Sequence, residues 1–123
     1  MILSGVFDKF PKLKVISGHW GEVVPFYLTR FDQMFLPSIT GLKENFSFYY
    51  KRNVYVTPSG IYDNESLEFC VKKLGIDHVL FSADFPYIQE SGARPFIENA
   101  HLSREDKEKF GYLNAEKILH LNE

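Results

Sequence analysis

Three short apolar runs, with helical patterns between and after them, constrain the fold of this 123-residue chain more than any other feature. The runs are rich in the β-branched and aromatic side chains that favour strands, and they cover residues 13–18, 53–57 and 78–83. Strands that alternate with helices predict a parallel sheet with right-handed crossovers, and therefore an α/β fold. The chain is long enough for a single domain over residues 1–123 and too short for two.

Helix signals bound the segments between the predicted strands. Pro25 is tolerated only in a first turn, so it places the start of a helix over 22–36 near Val23. Asp63 or Asn64 is the predicted N-cap of the next long helix, which ends near Leu74 before Gly75. Shorter helices are predicted at 2–10, 42–51, 94–101, 103–110 and 114–121.

Composition and motifs exclude several functional classes. The 14 basic and 16 acidic residues give a formal net charge of -2 without a basic patch, so no nucleic-acid partner is expected. No apolar run approaches the roughly 20 residues that a membrane span needs, so no membrane partner is expected. The absence of GxSxG, P-loop and GxGxxG motifs leaves no case for a serine hydrolase, a nucleotidase or a dinucleotide enzyme.

The single cysteine, Cys70, bears on the compartment of the chain. One cysteine cannot form an internal disulfide, and the first residues lack the basic region and cleavage site of a signal peptide. Both observations predict a cytoplasmic location. Cys70 lies on the apolar face of a predicted helix, which favours a buried structural role over a nucleophilic one.

Polar residues follow each predicted strand, at the edge of a parallel sheet where ligands bind. His19 follows the first strand, Thr57 and Ser59 the second, and Asp84 the third. Histidine can ligate a metal or transfer protons near neutral pH, and a carboxylate is costly to bury unless it is paired or bound to a metal. Glu22 could orient the imidazole of His19 through a hydrogen bond. The sequence therefore predicts that His19 and Asp84 project from one rim.

Each of these residues also has a structural interpretation. His19 could be a core or exposed histidine, Glu22 could favour a helix N-terminus through the dipole, and Asp84 could cap a helix. The other histidines are expected to be structural or solvated, and they are His78, His101 and His120.

Aromatic residues beside the polar ones are candidates for a substrate pocket, together with Ser59. Trp20 follows His19 directly, and it could line a cavity or pack in the core. Phe85 and Tyr87 flank Pro86 in a loop after Asp84, which could wall a pocket or pack on the core.

Four stretches together resemble the amidohydrolase 2 family. Its sixth-strand region is similar to GVFDKFPKLKVISGHWGE followed by PFYLTRFD, its seventh strand to NVYVTPSGI, its eighth-strand motif to FSADFPY, and its closing helix to GYLNAEKILHL. The stretches occur in the family's order and cover nearly the whole chain. The resemblance implies the last three β/α units, strands 6–8, of a (β/α)₈ TIM barrel.

Within the family, the chain resembles the branch of aminocarboxymuconate-semialdehyde and dihydroxybenzoate (resorcylate) decarboxylases. The resemblance implies non-oxidative decarboxylation of a small aromatic or muconate-type carboxylic acid with a divalent metal, zinc or manganese. It implies that Asp84 is a metal ligand and a proton-handling carboxylate. It also implies that His19 is a catalytic histidine partnered by Glu22.

The chain departs from the family in length. The first-strand ligands and the fifth-strand histidine are absent, so the resemblance implies a carboxyl-terminal fragment that is inactive alone. Three strands cannot close a barrel, and one carboxylate cannot hold a metal. A lactone or ester hydrolase of the same family, and a non-catalytic remnant that acts as an interaction module, are the alternatives. Exposed strand edges predict self-association, as a homodimer.

Overall fold

The computed structural model describes residues 1–88 and 92–121, in which short strands are packed against helices. In chain order the elements are α1 (Val6–Lys9), β1 (Val15–Ser17), α2 (Val24–Met34), α3 (Pro37–Thr40), α4 (Phe46–Asn53), β2 (Val54–Val56), α5 (Asn64–Leu74), α6 (Ala93–Glu98), α7 (Arg104–Glu108) and α8 (Asn114–Leu119). Short 3₁₀ turns cover His19–Gly21 and Ile76–His78, and a π-helical turn covers Lys109–Leu113. The predicted alternation of strands and helices is confirmed.

The two strands are parallel, as predicted. Val15 pairs with Val54 and Ser17 with Val56, so both strands end at the same edge of the sheet. Within the described residues the sheet has the order β1-β2, which leaves the outer edge of β1 without a neighbouring strand.

The prediction of a third strand over 78–83 is wrong in its length, because the observed pairing is much shorter. It is reduced to one parallel bridge between Val56 and Val79, in which the Leu80 N–H donates to the Val56 carbonyl at 3.0 Å. The next bond of a parallel ladder would need an N–H on residue 58, and Pro58 has none. The Phe81 N–H donates instead to the carbonyl of Phe110, at 2.9 Å.

The helix boundaries follow their sequence signals in most places. Pro25 lies in the first turn of α2, and Asp63 caps α5 by accepting the Ser66 N–H at 2.8 Å. Ser103 caps α7 by accepting the Asp106 N–H at 3.1 Å. The predicted helix over 2–10 is shorter than expected, because only Val6–Lys9 is helical. The segment after α2 contains the short helix α3.

The core lies between the strands and the helices that cross over them. Its most buried members are Phe7, Leu28, Tyr49, Val56, Leu67, Cys70, Val79 and Phe110. Burial raises the pKa of the Cys70 thiol to about 11, which leaves it protonated near neutral pH. Cys70 is buried, as predicted.

Two buried asparagines hold the amino-terminal ends of the strands. The amide of Asn53 donates to the carbonyls of Pro11 at 3.0 Å and Leu13 at 2.7 Å, before β1. The amide of Asn114, on α8, donates to the carbonyl of Val79 at 2.9 Å. These bonds satisfy carbonyls that the short strands leave unpaired, and they fix the strands opposite the rim that carries the polar residues.

Among the described residues, no helix is both long and apolar enough to cross a membrane.

Candidate functional site

His19 and Asp84 lie side by side at the carboxyl-terminal ends of the strands. The distance from His19 Nε2 to Asp84 Oδ2 is 3.7 Å, and the two side chains are 41% and 27% exposed. This distance confirms the prediction that they share one rim, although Asp84 follows the single Val56–Val79 bridge and not a full strand. At these exposures both groups stay open to a small molecule.

Glu22 approaches the other nitrogen of the same imidazole. Its Oε1 lies 3.5 Å from His19 Nδ1, and its side chain is largely exposed. His19 therefore has a carboxylate facing each ring nitrogen, and we call these three residues the His19 cluster. Both distances exceed an ordinary hydrogen bond, and a small side-chain rotation or one bridging water would connect the groups. Such an arrangement can hold one tautomer of the ring and relay a proton between its nitrogens.

The backbone that presents this cluster is a left-handed turn. The φ angles are 49° at His19, 57° at Trp20, 73° at Gly21 and 56° at Glu22. The Gly21 N–H closes the turn on the carbonyl of Gly18 at 2.9 Å. Left-handed conformations cost about 1–2 kcal/mol for each residue with a Cβ, so surrounding contacts must hold the turn in place. Strain of this kind concentrates at functional sites.

Trp20 fixes that turn to the core, where it is 5% exposed. Its indole N–H donates to the Ile61 carbonyl at 2.8 Å, and its ring meets the edge of Phe96 at 6.4 Å. On its accessible side Trp20 lines a cleft of about 320 Å³ between α2 and α5, which neither His19 nor Asp84 lines. The part of Trp20 in a substrate pocket stays a prediction.

Phe85 and Tyr87 project from the loop that follows Asp84. They are 80% and 87% exposed, so the alternative that they pack on the core is wrong. The Ile88 N–H donates to the Asp84 carbonyl at 2.9 Å, which turns the loop back beside the rim. Their part in a pocket wall stays a prediction.

Ser59 belongs to a chain of hydroxyl groups beneath the rim. Its Oγ lies 3.1 Å from Thr57 Oγ1 and 3.3 Å from Ser82 Oγ, and its backbone N–H donates to Ser82 Oγ at 3.2 Å. Their position after a strand predicts Thr57 and Ser59 at the rim, whereas Ser82 is not among the predicted residues. The sequence signal for Ser82 is a hydroxyl residue that interrupts an apolar run two positions before Asp84.

Two of the remaining histidines have structural partners. His78 Nδ1 lies 2.9 Å from the Val54 carbonyl, and its ring stacks on Tyr55 at the opposite end of the strands. His101 Nδ1 lies 2.7 Å from Glu68 Oε1 on the surface. The structural interpretation of His78 and His101 is confirmed. His120 follows α8 in the left-handed region, with a φ of 54°.

Across residues 1–88 and 92–121, no group of three histidine, cysteine, aspartate or glutamate side chains is placed to hold a metal ion. Asp84 and His19 could each contribute one ligand atom to a larger site, as an oxygen and a nitrogen donor. These residues alone do not make the coordination sphere of a divalent metal.

Comparison with known proteins gives consistent matches. The sequence profile of the amidohydrolase family matches residues 1–121. The gamma-resorcylate decarboxylase of Polaromonas sp. is 35% identical over 124 residues, which cover 97% of this chain and 38% of that protein. The gamma-resorcylate decarboxylase of Rhizobium sp. is 30% identical and covers 99% of this chain and 38% of its own length.

Solved structures agree with the sequence matches. The 5-carboxyvanillate decarboxylase of Sphingomonas paucimobilis superposes with a TM-score of 0.90 at 37% identity, over 98% of this chain and 37% of that one. The dihydroxybenzoic acid decarboxylase of Polaromonas sp., solved with bound manganese and the inhibitor 2-nitroresorcinol, gives a TM-score of 0.91 at 33% identity. That match covers 99% of this chain and 38% of the decarboxylase, so this chain spans well under half of its relatives.

Proposed function

Because the chain belongs to the amidohydrolase family, we propose that it carries the carboxyl-terminal part of a metal-dependent, non-oxidative decarboxylase of an aromatic carboxylic acid. Its fold is a partial TIM barrel, made of the last three β/α units. The observation that carries the proposal is the position of His19 between Asp84 and Glu22 at the carboxyl ends of the strands. The relatives at 30% and 35% identity are gamma-resorcylate decarboxylases.

The proposed roles follow from what decarboxylation requires. The bond between the ring carbon and the carboxylate breaks, CO₂ leaves, and the same ring carbon takes up a proton. Asp84 in its acid form delivers that proton, His19 resupplies Asp84 through Nε2, and Glu22 holds the ring through Nδ1. Proton transfer by a positioned side chain contributes about 10²–10⁴-fold to rate.

A divalent metal, manganese or zinc, would hold the substrate's carboxylate and a neighbouring oxygen when bound. Relatives of known structure contain manganese. The residues described here supply too few ligands for a complete site, so Asp84 is proposed as one ligand among several. The other ligands would come from the remaining units of the barrel, and we expect this chain alone to be inactive.

The remaining proposals concern the substrate, the assembly and the compartment. A small aromatic acid would lie against the exposed rings of Phe85 and Tyr87, next to Ser59. The open outer edge of β1 supports self-association of the chain as a homodimer. The lone Cys70 supports the cytoplasm as the compartment.

A chimera tests the proposed activity. Residues 1–121 would replace the matched region of the Polaromonas gamma-resorcylate decarboxylase, and CO₂ release from gamma-resorcylate and 5-carboxyvanillate would be measured with manganese present. We expect CO₂ release by the chimera and its loss in His19→Asn and Asp84→Asn. His101→Asn is the matched control, because His101 contacts Glu68 away from the rim.

The same assay separates the alternatives. Release of acid from lactones or esters without CO₂ would favour a hydrolase. A folded, manganese-loaded chimera that releases neither product would support the non-catalytic remnant and contradict the decarboxylase.

A further inference from the structure

A four-residue segment after β2, residues 57–60, contacts both backbone segments that carry the His19 cluster. On one side it contacts the turn that carries His19, since the Trp20 N–H donates to the Thr57 carbonyl at 2.7 Å. On the other side it contacts the segment that leads to Asp84, through Ser82. The turn that carries His19 and the segment that leads to Asp84 therefore contact the same short segment, each from its own side.

Ser59 is the residue of this segment that reaches both sides. Its hydroxyl lies between those of Thr57 and Ser82, at 3.1 and 3.3 Å, and its backbone N–H donates to Ser82 Oγ. Its φ is 45°, in the left-handed region that a residue with a Cβ adopts at a cost. The hydroxyl contacts are the side-chain interactions that favour this conformation.

Close packing on both flanks leaves the segment little room to shift. A Cβ on Gly18, the residue before His19, would lie 2.6 Å from Ser59 Oγ. A Cβ on Gly60 would lie 3.3 Å from the Cβ of Asp84 and 2.9 Å from the side chain of Ile88. The two glycines thus allow the Ser59 turn to touch the His19 turn on one side and the Asp84 loop on the other.

We propose that Ser59 is a positioning residue that sets the distance and relative orientation of His19 and Asp84. It acts through the Ser82 hydroxyl on the segment that carries Asp84 and through contact with Gly18 on the turn that carries His19. The importance of this positioning for catalysis rests on the proposed function. The positioning itself is a property of the chain without substrate or metal.

The test is an NMR comparison of the isotope-labelled chain with Ser59→Ala, which removes the hydroxyl and keeps the backbone N–H. Two signals are followed: the cross-relaxation between the His19 ring protons and the Asp84 methylene protons, and the ¹⁵N shifts of the His19 ring, which report its tautomer. Ser38→Ala is the matched control, because Ser38 is exposed on α3. Ser82→Ala is a second variant that removes the hydroxyl on the Asp84 side.

We expect Ser59→Ala to reduce the His19–Asp84 cross-relaxation severalfold and to shift the ring ¹⁵N signals, with Ser82→Ala acting in the same direction and Ser38→Ala having no effect. Unchanged signals in a folded Ser59→Ala chain would overturn the proposal, as would the absence of this cross-relaxation in the unsubstituted chain. If Ser59→Ala does not fold, the response of Ser82→Ala decides in the same way. The chimera's CO₂ release is measured separately, so either proposal can fail while the other stands.

Discussion

The indole N–H of Trp20 donates a 2.8 Å hydrogen bond to the carbonyl of Ile61, and this bond ties the strained turn of the site to the segment after β2. Because His19 precedes Trp20 directly, the anchor also limits where the imidazole can lie. The His19 imidazole, for which we propose a catalytic role, is thus held in place by its buried neighbour Trp20, whose own contacts are structural.

Trp20→Phe is expected to destabilise the chain by about 1–3 kcal/mol, since it removes that hydrogen bond and leaves a small cavity. Urea unfolding followed by circular dichroism measures the change. Tyr112→Phe serves as the control, because Tyr112 is exposed and its change should stay within about 0.5 kcal/mol. Equal stability of the two variants would show that Trp20 does not anchor the turn.

Gly21→Ala is expected to cost about 2–5 kcal/mol of folding free energy, from left-handed strain and from overpacking. Gly21 has a φ of 73°, and a Cβ there would clash with the Tyr50 hydroxyl and lie 3.0 Å from Val56 and 3.1 Å from Pro25. Gly41→Ala is a matched comparison, because Gly41 has a φ of 74° with nothing within 4 Å of its Cβ position. Gly41→Ala should cost only the strain of the left-handed backbone, about 1–2 kcal/mol. An equal decrease in the urea midpoints of the two variants would mean that the packing around Gly21 is loose.

Much of the architecture could be predicted from local signals. Pro25 and Asp63 set the starts of the two long helices because proline and capping side chains act on their own backbone. The shared rim of His19 and Asp84 followed from the geometry of parallel strands. These features depend on a few neighbouring residues, or on a rule that holds for all parallel sheets.

The remaining features of the fold and the site depend on contacts between segments that are distant in the chain, and a single sequence does not reveal those contacts. Residues with a Cβ rarely adopt the left-handed conformation, so the run of positive φ from His19 to Glu22 has no sequence signature beyond its glycine. The bonding of Ser82 to Ser59 depends on how two strand ends meet. The short third strand follows from Pro58, which lacks the N–H that the Val56–Val79 register would pair with the Leu80 carbonyl, and that register has to be known first.

Tyr50→Phe is expected to leave stability unchanged or raise it by about 1 kcal/mol, because the Tyr50 hydroxyl is buried without a hydrogen-bond partner among the described residues. Burial also raises the pKa of this phenol above its usual range, so it stays neutral. Thermal unfolding of the purified variant measures the effect.

The adjacent Tyr49 provides the control for that experiment. Its hydroxyl donates to Asp8 at 2.6 Å and accepts the Glu44 N–H at 3.0 Å, so Tyr49→Phe should lower the unfolding temperature relative to Tyr50→Phe. A lower unfolding temperature for Tyr50→Phe would show that its hydroxyl has a partner in solution, such as water.

Removal of the Asp63 carboxylate is expected to reduce the loss of stability in acid. Hydrogen bonds from Ser66 and from the Glu65 N–H lower the pKa of Asp63 below its ordinary value of 3.8. The unfolded chain therefore binds the proton more readily, so this stabilisation is present above the ordinary pKa and is lost as pH falls through the folded pKa. Urea unfolding of the chain and of Asp63→Asn, from neutral pH down to acid, should give curves that converge in acid. Asp8 also has a lowered pKa, and its contribution is the same in both curves, so the difference between the curves isolates the contribution of Asp63.

Asp63→Ala should also lose the neutral cap, which lowers the free energy of unfolding by about 1 kcal/mol. Parallel curves for the chain and Asp63→Asn would mean that the cap does not depend on charge.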